Sequence, residues 1–324
     1  MSTPATTTQA PLGSGFGATT TAQEALAGRD LTGRLALVTG GYSGLGRETT
    51  RVLAEAGATV IVPARTPEKA AVALEGLPRV EQDVLDLQDP ASIDAFAARV
   101  LDSGRPLDTL ITSAGIMAVP LSRDARGNES QLSTNHLGHF RLTTRLWPAL
   151  RRAERARVIS VSSRGHRIAA VDFEDPNFER REYDKWVAYG QSKSANALFA
   201  VALDARGQAD GMRAFSVHPG TILTDLARHL SDDELRAMGA LDDQGRPITG
   251  NLKTIEQGAA TAIWCATSSD LDGRGGVYCG DVDIAAVVPA DSPSGEGVRP
   301  WAIDPEAAER LWALSADLEG VDLP

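Results

Sequence analysis

Tyr189 and Lys193 stand four residues apart, a spacing that puts a phenol and an ammonium on one face of a helix. A free tyrosine titrates near ~10, too high to trade protons readily at neutral pH. A neighbouring Lys⁺, or an oxidised nicotinamide ring, favours the phenolate and lowers that value. Tyr189 is then expected to give a proton to a carbonyl oxygen, or take one from an alcohol, while a hydride moves at the adjacent carbon. A half-buried Tyr beside a surface Lys is the plainer reading of such a string, but its place after a fifth strand argues for chemistry. Just upstream, Ser160-Val-Ser-Ser163 closes that strand. The Ser163 hydroxyl can hold the substrate oxygen beside Tyr189, with Ser162 in support, because open α/β sheets place ligands at strand C-terminal ends.

A second group of residues suits phosphate. Thr39-Gly-Gly-Tyr-Ser-Gly-Leu-Gly46 lies between a first strand and a first helix. Phosphate binding there needs glycines for the tight turn, for close backbone approach and for helix-on-strand packing. The helix N-terminus adds partial positive charge facing a pyrophosphate. Gly40, Tyr42, Ser43, Gly44, Leu45 and Gly46 therefore form the expected cofactor loop. The second strand ends at Val62-Pro63-Ala64-Arg65, with no acid to accept a ribose 2′-hydroxyl. A guanidinium at Arg65 can pair with a 2′-phosphate instead, which points to NADP over NAD.

These residues need a scaffold that gathers strand ends. From Arg34 the chain alternates apolar strand-like runs (35–39, 59–62, 79–82, 107–112, 158–162, 213–218 and 276–278) with helical ones (44–56, 67–74, from 89–90, 128–150, 186–207 and 254–267). Strands separated by helices of a dozen or more residues call for parallel crossovers. The expected fold class is α/β: a single Rossmann-type doubly wound parallel sheet flanked by helices on both faces. Residues 1–30 read as a flexible tail ending in a short helix near 22–27, residues 31–284 as the domain, and 285–324 as an extension with one helix over 305–318. Trp301 and Trp312 are expected to anchor that helix. Residues 221–251 are expected to fold over the site as a lid, with Gly239 and Gly245 as flex points.

Composition narrows the partners. A net charge of −11 opposes binding to nucleic acid or to an anionic membrane surface. No apolar stretch approaches the ~18 residues of a transmembrane helix, and the N-terminus lacks a signal-peptide pattern. Cys265 and Cys279 give neither a disulfide framework nor a zinc spacing, which suits a reduced, cytoplasmic setting. The five histidines show no metal spacing, so no metal site is expected, and His136 and His139 read as satisfied structural residues.

Taken together, the chain from about 31 to 284 resembles the short-chain dehydrogenase/reductase family, on TGGYSGLG at 39–46, Asp83-Val84, Ser113-Ala114-Gly115, Asn135, Ser163, Tyr189/Lys193 and Pro219-Gly220. YGQSKSANALFA at 189–200 and STNHLGHF at 133–140 look like its retinol-dehydrogenase-like branch, as does the acidic and aromatic insert over 171–186. The resemblance implies a catalytic tetrad of Asn135, Ser163, Tyr189 and Lys193, with Asn135 holding a water that relays protons toward Lys193. It also implies that Lys193 reaches the nicotinamide ribose, Asp83 and Val84 bracket the adenine, and Gly115 sits under the adjoining ribose. Thr221 and Thr224, after Pro219-Gly220, would reach the carboxamide and pyrophosphate. Two residues depart from the pattern: Ser113 replaces the usual Asn, and Tyr42 replaces a smaller residue. The expected activity is hydride transfer between NADP(H) and an apolar alcohol, aldehyde or ketone lined by 116–120, in the direction of carbonyl reduction. An NADP(H)-binding sensor without turnover is the alternative, and a homo-oligomer is left open.

Overall fold

The computed structural model describes residues 7–237, 239–246, 248 and 252–324. Its strands are β1 (Leu35–Thr39), β2 (Thr59–Ala64), β3 (Val80–Val84), β4 (Thr109–Thr112), β5 (Arg157–Val161), β6 (Arg213–His218), β7 (Val277–Gly280) and β8 (Asp283–Ile284). The helices are α1 (Ala22–Leu26), α2 (Gly44–Glu55), α3 (Pro67–Leu74), α4 (Pro90–Asp102), α5 (Ser130–Leu132), α6 (Gly138–Arg152), α7 (Lys185–Gly207), α8 (Asp232–Ala237), α9 (Ile255–Thr267) and α10 (Pro305–Glu319). One sheet holds every strand in the order β3-β2-β1-β4-β5-β6-β7-β8. Pairing is parallel up to β7, as the crossover helices require, and β8 closes the edge antiparallel. The order reverses between β1 and β4, the switch point where such sheets bind ligands.

The core has two layers because the sheet is covered on both faces. Leu37, Leu110 and Val158 face Phe96, Phe140, Leu198 and Trp312 from α4, α6, α7 and α10. Val38, Val60 and Val217 face Leu53, Ile263 and Trp264 from α2 and α9, with α1 on the same side. Every residue of β1 is buried, which explains its unbroken apolar run. Local signals set the helix starts. Asp89 accepts from Ala91 N ahead of Pro90, and Asp184 accepts from Trp186 N and Val187 N at the head of α7.

Two sequence expectations need correction. The stretch from residue 7 to 30, read as a flexible tail, is bound to the sheet edge. Gln9 donates to Tyr278 O (2.7 Å) and Ala285 O (2.6 Å) and accepts from Tyr278 N (2.8 Å). Asp283 accepts from the backbone N–H groups of Leu12, Gly13 and Ser14. A single side chain thus mimics a strand partner, which leaves no period in the sequence. Gln9→Ala, which leaves those edge groups without that partner, is expected to raise the rate of limited proteolysis between residues 10 and 30 by about tenfold. Next, the helix expected over 128–150 starts at Ser130 and contains a π-helical turn, Ser133–Leu137. In the 285–324 segment, α10 packs on the main core through Trp312, which stands edge-on to Phe140 at 4.9 Å and stacked on Phe199 at 6.1 Å. Its end is tied down where Arg126 donates to both Glu319 carboxylate oxygens at 2.7 Å.

Candidate active site

A cavity of about 910 Å³ runs across the C-terminal ends of the strands, from Arg65 after β2 to Ser163 after β5 and His218 at the end of β6. With neighbouring strands ~4.8 Å apart, β2 and β5 are separated by about 14 Å. The two ends of the cavity are therefore distinct places joined by one trough.

The glycine loop forms one wall, where Gly40, Tyr42, Ser43, Gly44, Leu45 and Gly46 all line the cavity. Gly40 has φ +66°, and a Cβ there would meet Ala114 Cα at 3.0 Å. A Cβ on Gly46 would lie 2.2 Å from Gly40 O, so the helix can approach the loop only with glycine at that position. Opposite the loop, Thr224 faces Gly44, with a hypothetical Gly44 Cβ 3.5 Å from Thr224 Cβ. Pro219, Gly220 and Thr221 continue that wall. Arg65 is exposed and makes no hydrogen bond or ion pair among the described residues, so its guanidinium is open to the cavity.

Ser113, Ala114 and Gly115 cross the middle. Thr39 Oγ1 accepts from Ser113 N (3.0 Å) and Ala114 N (3.1 Å) and pairs with His139 Nε2 (2.9 Å). The bridge between β1 and β4 is thus carried by Thr39, with Ser113 contributing its backbone. His139 Nδ1 pairs with Asn135 O at 3.0 Å, and burial pushes its pKa down to about 4, so it is a neutral brace. Asn135 lies behind Gly115. Its amide accepts from Ile116 N (2.8 Å) and donates to Ile116 O (3.0 Å) and Ser192 Oγ (2.9 Å). A Cβ at Gly115 would stand 3.0 Å from Asn135 Oδ1 and 3.7 Å from Lys193 Nζ, so glycine keeps the gap between those groups open.

At the far end, Ser163, Tyr189 and Lys193 line one corner. Ser162 Oγ donates to Lys193 O at 2.7 Å, which fixes the end of β5 against α7. Lys193 Nζ donates to Val161 O at 3.0 Å and lies 5.8 Å from the centre of the Tyr189 ring. Burial pushes the Tyr189 phenol up to about 12, with the Ser163 hydrogen bond pulling the other way, and pushes Lys193 down to about 8. The expected lowering of Tyr189 by Lys193 is not present: the ammonium is directed at the Val161 carbonyl, and burial sets the phenol high against the Ser163 hydrogen bond.

Asp83 and Val84 do not reach the cavity. Asp83 is held by Arg99 at 2.8 Å, Val84 is 48% exposed, and both are still within β3, opposite Pro63 and Ala64. Leu85, Asp86 and Leu87, just past the strand end, line the cavity instead. The repeated Asp-aliphatic pair, Asp83-Val84 then Asp86-Leu87, was the available signal. Sequence reasoning also passed over Thr39, His218, Arg164 and Arg167, all of which face the cavity. Of the stretch expected to line the substrate end, Ile116, Met117 and Val119 do so. Residues 221–228 and α8 cover one side, where Glu234 bonds Lys185 Nζ (2.5 Å) and accepts from Trp186 Nε1 (3.2 Å). Residues 238, 247 and 249–251 of the expected lid fall outside the described residues. Among the described residues no group of three or more His, Cys, Asp or Glu could hold a metal ion, and no helix is long and apolar enough to cross a membrane.

A sheet of this order with that corner defines a nicotinamide-linked dehydrogenase scaffold. The short chain dehydrogenase family model matches residues 34–235, and the chain belongs to that family. It is 49% identical over 297 residues to a probable oxidoreductase of Streptomyces antibioticus, covering 89% of this chain and 98% of that protein. Human retinol dehydrogenase 12 is 36% identical over 298 residues, with coverages of 90% and 88%. Among solved structures, an uncharacterized protein from Mycobacterium paratuberculosis superposes with a TM-score of 0.70 at 34% identity, covering 91% of this chain and 97% of that one. The RhlG/NADP active-site complex of Pseudomonas aeruginosa gives 0.59 at 25% identity, with coverages of 78% and 95%.

Proposed function

We propose that this protein transfers a hydride between NADP(H) and an apolar alcohol/carbonyl pair, working as a carbonyl reductase. The observation that carries the reading is the corner where a buried Tyr189 meets Ser163 and Lys193, opening into a trough walled by the glycine loop. The fit to a dinucleotide rests on that loop: Gly40 and Gly46 pack it tightly against Ala114 and the head of α2, Ser43 and Gly44 face the trough, and α2 directs its N-terminus there. When bound, the nicotinamide cofactor supplies or accepts the hydride, and its oxidised ring adds a positive charge that favours the phenolate.

The chain's own residues do the rest. Ser163 holds the carbonyl oxygen, and Tyr189 delivers the proton from its phenol. Lys193 reaches the ribose and, with Asn135 behind it, passes a replacement proton inward through a water. Asp86 and Leu87 take the adenine position. Ile116, Met117, Val119, Trp186 and Leu226 give the substrate end an apolar lining. Arg65 selects the 2′-phosphate. Arg65→Ala is expected to raise KM for NADPH by about 10- to 100-fold while moving KM for NADH by less than threefold. Steady-state kinetics with both cofactors against a panel of apolar aldehydes and ketones tests this. Equal losses with NADPH and NADH would remove Arg65 from cofactor selection, and binding of NADPH with no consumption across the panel would favour a sensor.

A further inference from the structure

An acidic protein has gathered three arginines beside its catalytic corner. Arg164 and Arg167 lie on the 3-10 turn that directly follows Ser163, and both line the cavity. Arg299 reaches the same place from the C-terminal segment, its backbone N–H donating to His166 Nε2 at 3.1 Å. Gly295 closes over the group: a Cβ there would meet Arg164 Nη1 at 3.5 Å and Arg167 Nη1 at 3.6 Å. None of the three guanidiniums has a carboxylate within ion-pair distance among the described residues. Asp291 and Glu296, the acids of the covering loop, are exposed and do not pair with them.

Arg299 is the second observation. It is only 2% exposed, yet of its side-chain nitrogens only Nη2 is bonded, to Ser292 O at 2.6 Å and more weakly to Ser294 O at 3.4 Å. Its Nε and Nη1, and Nε of Arg167, are buried without a partner. Unpaired buried guanidinium N–H groups are costly, and like charges brought together cost more. The neighbours give no relief. Burial, with Arg299 and Arg167 nearby, pushes His166 down to about 4, and burial with Arg164 nearby pushes His218 down to about 3. Lys253 is already paired with Asp281. The group also stands at the β5–β7 end of the sheet, about 14 Å from Arg65 after β2. It is therefore too far away to share the cofactor phosphate assigned to Arg65.

We propose that Arg164 and Arg167, backed by Arg299, form an anion subsite that receives a carboxylate on the substrate, which would then be an amphipathic oxo-acid or hydroxy-acid with an apolar body. The inference rests on the hydride-transfer reading for the substrate's reacting end, but the anion subsite itself does not. Arg164 and Arg167 present donor forks to the carboxylate, while Arg299 acts as a positioning residue that fixes the covering loop and adds field from behind.

Two measurements test it. In turnover, a medium-chain aldehyde ending in a carboxylate is compared with its methyl ester. The acid is expected to show at least about tenfold higher kcat/KM, and that ratio should collapse in Arg164→Gln and Arg167→Gln. Because the readout is a ratio within one protein, loss of folded material cancels, and Arg299→Lys should keep more of the ratio than Arg299→Gln. In binding, decanoate and decanol are titrated calorimetrically into the NADP⁺-loaded protein, with decanoate expected to bind at least about tenfold more tightly. Equal affinity for the two, or an acid/ester ratio that survives both Gln variants, overturns the subsite. Preferential decanoate binding without turnover of any aldehyde would uphold the subsite and defeat the hydride-transfer reading.

Discussion

Tyr189→Phe is expected to lower kcat/KM for carbonyl reduction by about a thousandfold, within the range usual for removing a positioned general acid. The ring and its edge-on contact with Trp186 at 6.3 Å are retained, and only the hydroxyl beside Ser163 is lost. Packing is thus spared, and the thermal midpoint should move by no more than a few degrees. The cofactor loop and Arg65 are untouched, so NADPH should still bind. Stopped-flow reduction of a substrate aldehyde, run beside fluorescence titration with NADPH, separates the two effects. A parallel loss of binding would place Tyr189 in cofactor retention and not in proton transfer.

Lys193→Met should abolish turnover to a similar degree and yet stabilise the cofactor-free protein. Lys193 is 5% exposed, and burial pulls its pKa from 10.5 to about 8. At 1.36 kcal/mol per unit this corresponds to about 3 kcal/mol. Below about pH 8 both folded and unfolded states carry the proton, and the folded state holds it at a disadvantage. That cost shrinks as pH rises from about 8 toward 10.5 and is absent above it. Met fills a similar volume without charge, and Val161 O keeps its bond from Asn196 Nδ2 at 3.0 Å. A rise of about 2–6 °C in the thermal midpoint at pH 7 is expected, fading toward pH 10. A fall at pH 7 would show that the bond to Val161 outweighs the desolvation of the ammonium.

The scaffold was legible because its signals are local. The apolar runs at 35–39 and 213–218 coincide with β1 and β6, and the Tyr189/Lys193 spacing needs only one helix to hold its meaning. Where burial does not mark a strand, its ends leave no pattern in the sequence. Val80–Val84 has no fully buried residue and no regular in/out pattern, so nothing in the sequence marks that the strand runs on to Val84 and that Asp86-Leu87, not Asp83-Val84, faces the cavity. The N-terminal stretch gave no period because it is held by Gln9 and Asp283 side chains, not by a ladder. β8 is two residues long and carries no pattern of its own. The arginine group was hidden for another reason: Arg164 and Arg299 are 135 positions apart and meet only through the tertiary fold.

The most direct test of the central claim follows the hydride itself. The protein is incubated with NADPH carrying deuterium at both C4 positions and an aldehyde it consumes, and the alcohol is analysed by mass spectrometry. Hydride transfer at the Tyr189 corner predicts one deuterium on the carbinol carbon of the product, formed in step with cofactor oxidation. Cofactor that binds but is never oxidised by any aldehyde or ketone offered, or a product without deuterium at that carbon, would contradict it.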